Sequence, residues 1–215
     1  LLRELNSSND NPLIFTELDT FFHNGHFHGQ PISFAMDCLG ISMVNVGVIS
    51  DRRIDRFMDE HHSTGLPPFL CKEDTGVRMG LMGGQFMTTS LVAENRTLAV
   101  PASIQSITST ADFQDIVSFG LIAGRKARKI VENTNHILSF ELLCAAQAAD
   151  QRSIDRLSPS GKIMHKAVRE TLEYMDYDKV YIDDLETLKT RIESGEFVER
   201  VEKELGELLI VHEKE

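Results

Sequence analysis

Residues 114–151 read QDIVSFGLIAGRKARKIVENTNHILSFELLCAAQAADQ, a stretch without a single proline. Apolar residues return through it at helical spacing, with Ile116, Phe119, Ile122, Ile130, Ile137, Phe140, Leu143 and Ala146 on one face. At about 1.5 Å per residue the predicted helix would be roughly 57 Å long, well beyond the ~30 Å diameter of a small domain. A helix of that length has to lie in an elongated bundle or against other subunits. The fold class expected is therefore mainly α, built as a long-helix bundle.

The flanking sequence has the same character. From Pro31 to about Met58 the residues Phe34, Met36, Leu39, Met43, Val46, Ile54 and Phe57 keep a helical period, and Pro31 sits where a first helical residue tolerates a missing N–H. A further helix is expected from about Leu81 through Leu98, ending before Pro101. Between these lie STGLPPFLCKEDTG, with two prolines and two glycines, and the irregular PASIQSITSTADF. Near the start, NSSNDNP is a cluster of turn formers that stops a short helix begun by LLREL. Beyond Ser153 the chain becomes more charged, with SPSG as a turn and helix start and acidic amphipathic segments from Asp183 to the end. The organisation expected is a central helical bundle with functional loops over residues 1–152 and a peripheral charged helical cap over 153–215. No repeat and no convincing hairpin is visible.

Composition narrows the function. The 215 residues are 41% hydrophobic and 26% charged, enough to bury a core, and the formal charge is −11. A net anion is a poor partner for nucleic acid or an anionic membrane surface, so a small molecule is the better target. The cysteines, Cys38, Cys71 and Cys144, are odd in number and lack CxxC spacing, which fits a reducing compartment rather than a disulfide framework. With no uninterrupted apolar run of membrane-spanning length and no secretory leader, the expected location is cytoplasmic. The chain opens on LLRELNSSND without an initiator methionine, so a fragment of a longer protein is expected.

Several stretches invite a chemical reading. HNGHFHGQP, residues 23–31, holds three histidines, but no HExxH, cysteine pair or acidic partner stands nearby to complete a coordination shell. Capping or backbone hydrogen bonding is the plainer explanation, and no metal is assigned. GVRMGLMGGQ (76–85) lacks the Gly-Lys-Ser/Thr ending of a phosphate loop. Asn95-Arg96-Thr97 matches a glycosylation acceptor by chance, and GRKARK (124–129) reads as a solvated or inter-subunit helix face. STADFQD (109–115) stands before the longest helix, as the FHGQP loop stands before its own. Two helix N-termini aimed at one place can stabilise developing negative charge, although N-capping by Thr110 or Asp112 explains the same residues.

Seven motifs, in order, then point to a family: NSSNDNPLIF, NGHFHGQP, DRRI, GLPPFL, LVAENRTLAVPASIQSI, FQDIVSFGLIAGRK and ELLCAAQAAD. Over roughly residues 2–152 the chain resembles the aromatic amino acid ammonia-lyases and aminomutases, which include the histidine, phenylalanine and tyrosine ammonia-lyases. The resemblance implies the C-terminal part of the ammonia-lyase fold, a helical homotetramer, and sites shared between subunits. It also implies a 4-methylideneimidazole-5-one (MIO) electrophile formed from an Ala-Ser-Gly tripeptide, and no Ala-Ser-Gly occurs in this chain. The family's active-site tyrosines, asparagine and carboxylate-binding arginine belong upstream of the DNP turn.

Carried over residue by residue, Phe27 matches the phenylalanine that packs beside electrophile and substrate. His26 stands where asparagine is usual. Gln114 matches a position that is glutamate in histidine ammonia-lyases and glutamine in many phenylalanine or tyrosine enzymes, while Phe113 replaces an amide. Phe27 and Gln114 are the expected catalytic residues, with His26, Phe113 and Thr110 as substrate-pocket candidates. The expected activity is elimination or 2,3-shift of the amine of an aromatic amino acid, tyrosine or phenylalanine favoured over histidine by the neutral Gln114. The alternative of another class is a non-catalytic helical oligomerisation module or truncated paralogue, which the missing tripeptide favours.

Overall fold

The computed structural model describes residues 1–208; the last residues of the acidic segment expected to run to the C-terminus, 209–215, lie outside them. Besides three single-turn 3₁₀ helices, seven α-helices and one small hairpin make up the regular structure among the described residues. They are α1 (Leu2–Leu5), β1 (Leu13–Phe15), β2 (Thr20–Phe22), α2 (Gln30–Met58), α3 (Met82–Leu98), α4 (Gly120–Arg152), α5 (Pro159–Arg169), α6 (Ile182–Glu193) and α7 (Glu196–Leu205). The mainly α class and the two helices before the longest one agree with the sequence reading.

The longest helix is shorter than its apolar period implied. It begins at Gly120, not at Gln114, and its 33 residues span about 50 Å at ~1.5 Å each. The apolar spacing at Ile116 and Phe119 carries into a segment whose backbone is committed elsewhere. The Val117 N–H donates to Ser106 Oγ at 2.8 Å, and Phe119 adopts a left-handed φ of 50° that no α-helix continues through. The hairpin was also missed. Its strands have three residues each, paired Leu13↔Phe22, Ile14↔Phe21 and Phe15↔Thr20, and mostly exposed side chains leave no alternation to read. Asp19, left-handed at φ 46°, turns the chain between them.

Two compact units result, with boundaries inside α2, α3 and α4: residues 1–45 with 93–132, and residues 46–92 with 133–215. The second unit holds the apolar core, in which Ile54, Leu70, Leu81, Ile137, Phe140, Leu143, Leu172 and Leu188 are fully buried. Gly84 of α3 lies so close to the Phe140 ring that a Cβ there would stand 2.0 Å from Cε2. Buried polar groups fix the alignment: Thr88 Oγ1 donates to Asp51 at 2.8 Å, and Glu141 accepts from Ser50 Oγ at 2.6 Å and pairs with Arg53. The segment after residue 152 packs within this unit. Ser158 caps α5 by accepting the Gly161 N–H, Asp150 pairs with His165 and Arg169 of α5, and α5 contacts α7.

Several sequence motifs find structural explanations here. The glycine-rich 76–85 stretch turns its Met79 and Gly80 N–H groups to the carboxylate of Asp178, each at 2.9 Å, so its donors serve an acid of the same chain. Asn95 is 1% exposed and closed to modification. Cys71 and Cys144 are buried, Cys38 is exposed, and all are free thiols. Burial, reinforced by Glu141, pushes the Cys144 thiol well above its ordinary range, which makes it inert.

By length and composition α2 is apolar enough to cross a membrane. The expectation drawn from uninterrupted apolar runs overlooked this, because serine, asparagine and glycine are spread among its apolar residues. Buried within it, however, is the ionisable Asp37, which accepts the backbone N–H groups of Ala102 and Ser103.

Candidate functional site

In the first unit two loops meet. One runs from the DNP turn to the start of α2 and is built on side-chain amides: the Asn24 N–H donates to Asn11 Oδ1 at 3.1 Å, Asn24 Nδ2 to Asp10 O at 3.0 Å, and the His26 N–H to Asn24 Oδ1 at 2.8 Å. The His28 N–H closes a turn on Gly25 O. These bonds hold the Asn24–His28 backbone, so Phe27 is presented as a residue 57% exposed.

The second loop, 100–119, is tied to the first by Gln30 and Asp37. Gln30 Nε2 donates to Ser103 O at 3.1 Å, and both Asp37 oxygens accept N–H groups, from Ala102 at 3.1 Å and Ser103 at 2.9 Å. Burial opposes the Asp37 charge, but the hydrogen bonds from Ser103 and Ala102 and the nearby Lys126 outweigh it and hold the carboxyl below its ordinary value. The glycines permit close approach. A Cβ on Gly29 would sit 3.2 Å from Ser118 Oγ, and one on Gly120 would sit 3.4 Å from Gly29 O.

Within the second loop, Ser109 and Gln114 exchange backbone hydrogen bonds of 2.9 and 3.2 Å. Thr110, Ala111 and Asp112 between them are all left-handed, at φ 56°, 53° and 67°, a costly arrangement for residues with a Cβ. The turn leaves Thr110, Phe113 and Gln114 exposed, Phe113 at 83%. Because α4 starts at Gly120, neither Thr110 nor Asp112 is its N-cap.

The structure therefore brings the FHGQP loop against the PAS turn and Ser118–Gly120. Phe27, His26, Thr110, Phe113 and Gln114 are all on exposed loop surface, and no hydrogen bond joins the Phe27 loop to Gln114 among the described residues. No group of three or more His, Cys, Asp or Glu side chains suited to a metal ion is present among them either. Sequence reasoning missed the anchors Gln30, Asp37 and Ser103; the one signal available was an acid among the apolar residues of a helix. His28 Nε2, Gln30 Oε1 and Ser33 Oγ are buried polar atoms without a hydrogen-bond partner, so this end of α2 is a polar surface whose bonding the described residues do not complete.

The family model for aromatic amino acid lyases matches residues 1–170. This chain belongs to the aromatic amino acid lyase family. Within it, the MIO-dependent tyrosine 2,3-aminomutase of Streptomyces globisporus is 46% identical over 202 residues, 94% of this chain and 37% of that protein. A histidine ammonia-lyase of Natranaerobius thermophilus is 42% identical over 97% of this chain and 41% of its own length. Among solved structures, phenylalanine aminomutase of Pantoea agglomerans superposes with a TM-score of 0.84 at 52% identity, covering 88% of this chain and 37% of that one. The chain thus spans about two fifths of the length of these family members, whose names cover three aromatic substrates and two reaction outcomes.

Proposed function

We propose that this chain is the C-terminal portion of an MIO-dependent ammonia-lyase or 2,3-aminomutase acting on tyrosine or phenylalanine. The observation that carries the reading is the pair of anchors, Gln30 to Ser103 and Asp37 to Ala102 and Ser103, which sets the Phe27 loop against the loop that leads to Gln114.

The MIO group, formed from an Ala-Ser-Gly that this chain does not contain, supplies in such enzymes an electrophile that turns the substrate amine into a leaving group. Phe27 fits a place beside it, as an exposed ring on a backbone fixed by four hydrogen bonds, and it orients the substrate and keeps water away. The unpaired atoms of His28, Gln30 and Ser33 are groups that the completed site would satisfy. Gln114 offers a neutral amide to the substrate side chain, which suits an uncharged ring better than an imidazole. His26, Thr110 and Phe113 complete the pocket wall in this reading.

A homotetramer is part of the proposal, because Phe34, Ile104, Ile107, Leu121 and Ile122 leave a broad apolar surface exposed. Cytoplasmic residence also belongs to it, supported by the free thiols. The neighbouring reading keeps the same fold with histidine as substrate. The reading of another class, a non-catalytic oligomerisation module, is favoured by the missing tripeptide alone. The test is to assay the isolated chain with tyrosine, phenylalanine and histidine. Silence, with retained helicity and self-association, is expected; turnover by this chain alone would overturn the proposal.

A further inference from the structure

Residues 106–117 form a hairpin-like loop whose tip carries Thr110, Phe113 and Gln114. The backbone closes it only at that tip, where Ser109 and Gln114 exchange hydrogen bonds and the Phe113 N–H donates to Thr110 O at 3.1 Å. Ala111 and Asp112, the central residues of the turn, both have positive φ, the pattern of a type I′ turn. Neither is a glycine, and Thr110 before them is left-handed too. Strain of that kind persists only where the surroundings over-determine it.

Below the tip, side chains take over from the backbone. Among the described residues no backbone hydrogen bond joins 106–108 to 115–117. Instead Thr108 Oγ1 donates to Asp115 O at 3.4 Å, and Ser106 Oγ accepts the Val117 N–H at 2.8 Å. These contacts lie one and three steps from the Ser109–Gln114 pair on both arms, so all of them keep one antiparallel register. The Thr108 bond is at the edge of hydrogen-bonding distance, which leaves Ser106 as the firm link. Val117 stands three residues before α4 begins at Gly120. The Ser106 bond therefore joins the arm that carries Gln114 to the arm leading from the PAS turn, which Asp37 anchors.

We infer that Ser106 is a positioning residue, whose hydroxyl sets the register of this loop and thereby the place of the Gln114 amide. A slip of one residue would turn Gln114 to the opposite face. Ser106 touches no substrate in this role and acts through Gln114. The inference rests on the proposed function, in which the Gln114 amide meets the substrate side chain.

A full-length enzyme carrying this segment tests it, with Ser106→Ala, Ser106→Thr, Gln114→Leu and the Ser106→Ala, Gln114→Leu double variant. Ser106→Ala should lower kcat/KM, for the best of tyrosine, phenylalanine and histidine, by up to about tenfold, the worth of one hydrogen bond. The melting temperature should not move, because Ser106 is exposed. Ser106→Thr keeps the acceptor and should recover most of the rate. In the Gln114→Leu background Ser106→Ala should cost nothing further, as expected of two residues that act through one contact. Hydrogen exchange of the peptide 105–119 in the same preparations should quicken in Ser106→Ala and not in Ser106→Thr. Additive losses from the two single substitutions, an undiminished rate in Ser106→Ala, or exchange indifferent to the hydroxyl would each overturn the inference. An enzyme idle on all three amino acids before any substitution would defeat the proposed function instead, and exchange indifferent to the hydroxyl would still overturn the role of Ser106.

Discussion

Asp37 accepts the backbone N–H of Ser103 at 2.9 Å, across 66 positions of sequence. With its other oxygen on the Ala102 N–H, this buried carboxylate is what ties the PAS turn to α2. Its pKa is held below the ordinary carboxylate value, so the unfolded chain takes up the proton first as pH falls. Stability from Asp37 is therefore fully present above the unfolded value, about 3.9, and is lost as pH drops through the lower folded value. Asp37→Asn should cost roughly 1–3 kcal/mol at neutral pH. The gap to wild type should narrow below about pH 4. Urea midpoints measured across pH check this, and a gap that does not change with pH would contradict it.

Gly84 and its neighbour Gly83 make an internal control. A Cβ at 84 would enter the Phe140 ring, whereas one at 83 meets nothing within 4 Å. Gly84→Ala should destabilise by about 1–3 kcal/mol or more through overpacking. Gly83→Ala should be neutral or stabilise by up to ~1 kcal/mol through helix propensity. Chemical denaturation of the two variants decides it; equal effects would mean that the α3–α4 contact is looser than described.

Much of this fold was legible because it rests on period. The apolar residues of α2 and α4 repeat at helical spacing, and Pro31, Pro101 and the SPSG turn mark helix limits by chemistry local to the sequence. The false start at Gln114 arose because Ile116 and Phe119 keep that period while the Ser106 bond and a left-handed Phe119 stop the helix. The hairpin had no period to show. Phe27 and Gln114 became candidates only through resemblance to a family, since one sequence does not tell a substrate wall from a polar loop. The anchors Gln30, Asp37 and Ser103 act between segments far apart in sequence, and no local pattern announces them.

The histidine-rich loop should be indifferent to metal. His26 is held through its backbone by Asn24, and the ring of His23 packs edge-on against Phe21 at 5.3 Å. Adding zinc or a chelator should leave the melting temperature unchanged, because a true metal site contributes folding free energy. Stoichiometric zinc retained through gel filtration, with a melt sensitive to chelator, would show otherwise.

In a full-length enzyme carrying this segment, Phe27→Ala should lower turnover on the order of a hundredfold, since misplacing a substrate by about 1 Å costs that much. Its melting temperature should barely move, because the residue is already more than half exposed. Steady-state rates and melts of the same preparations separate the two effects. A loss of stability matching the loss of rate would make Phe27 structural.

Gln114→Glu should raise the ratio of kcat/KM for histidine over tyrosine. A carboxylate at this exposed turn adds to the negative charge of Asp112 and Asp115 and favours a basic imidazole over an uncharged ring. The ratio, measured in wild type and variant, is the readout. Equal slowing of both substrates would remove the residue-level support for tyrosine or phenylalanine.

The most direct measurement is turnover by a chimaera in which this chain replaces the matched region of the Streptomyces globisporus tyrosine 2,3-aminomutase, so that the Ala-Ser-Gly and upstream residues come from that enzyme and the Phe27 and Gln114 loops from this one. Conversion of tyrosine or phenylalanine to a β-amino acid, or to ammonia and an unsaturated acid, is the predicted result. A folded tetramer with its electrophile formed and no turnover of tyrosine, phenylalanine or histidine would contradict the account.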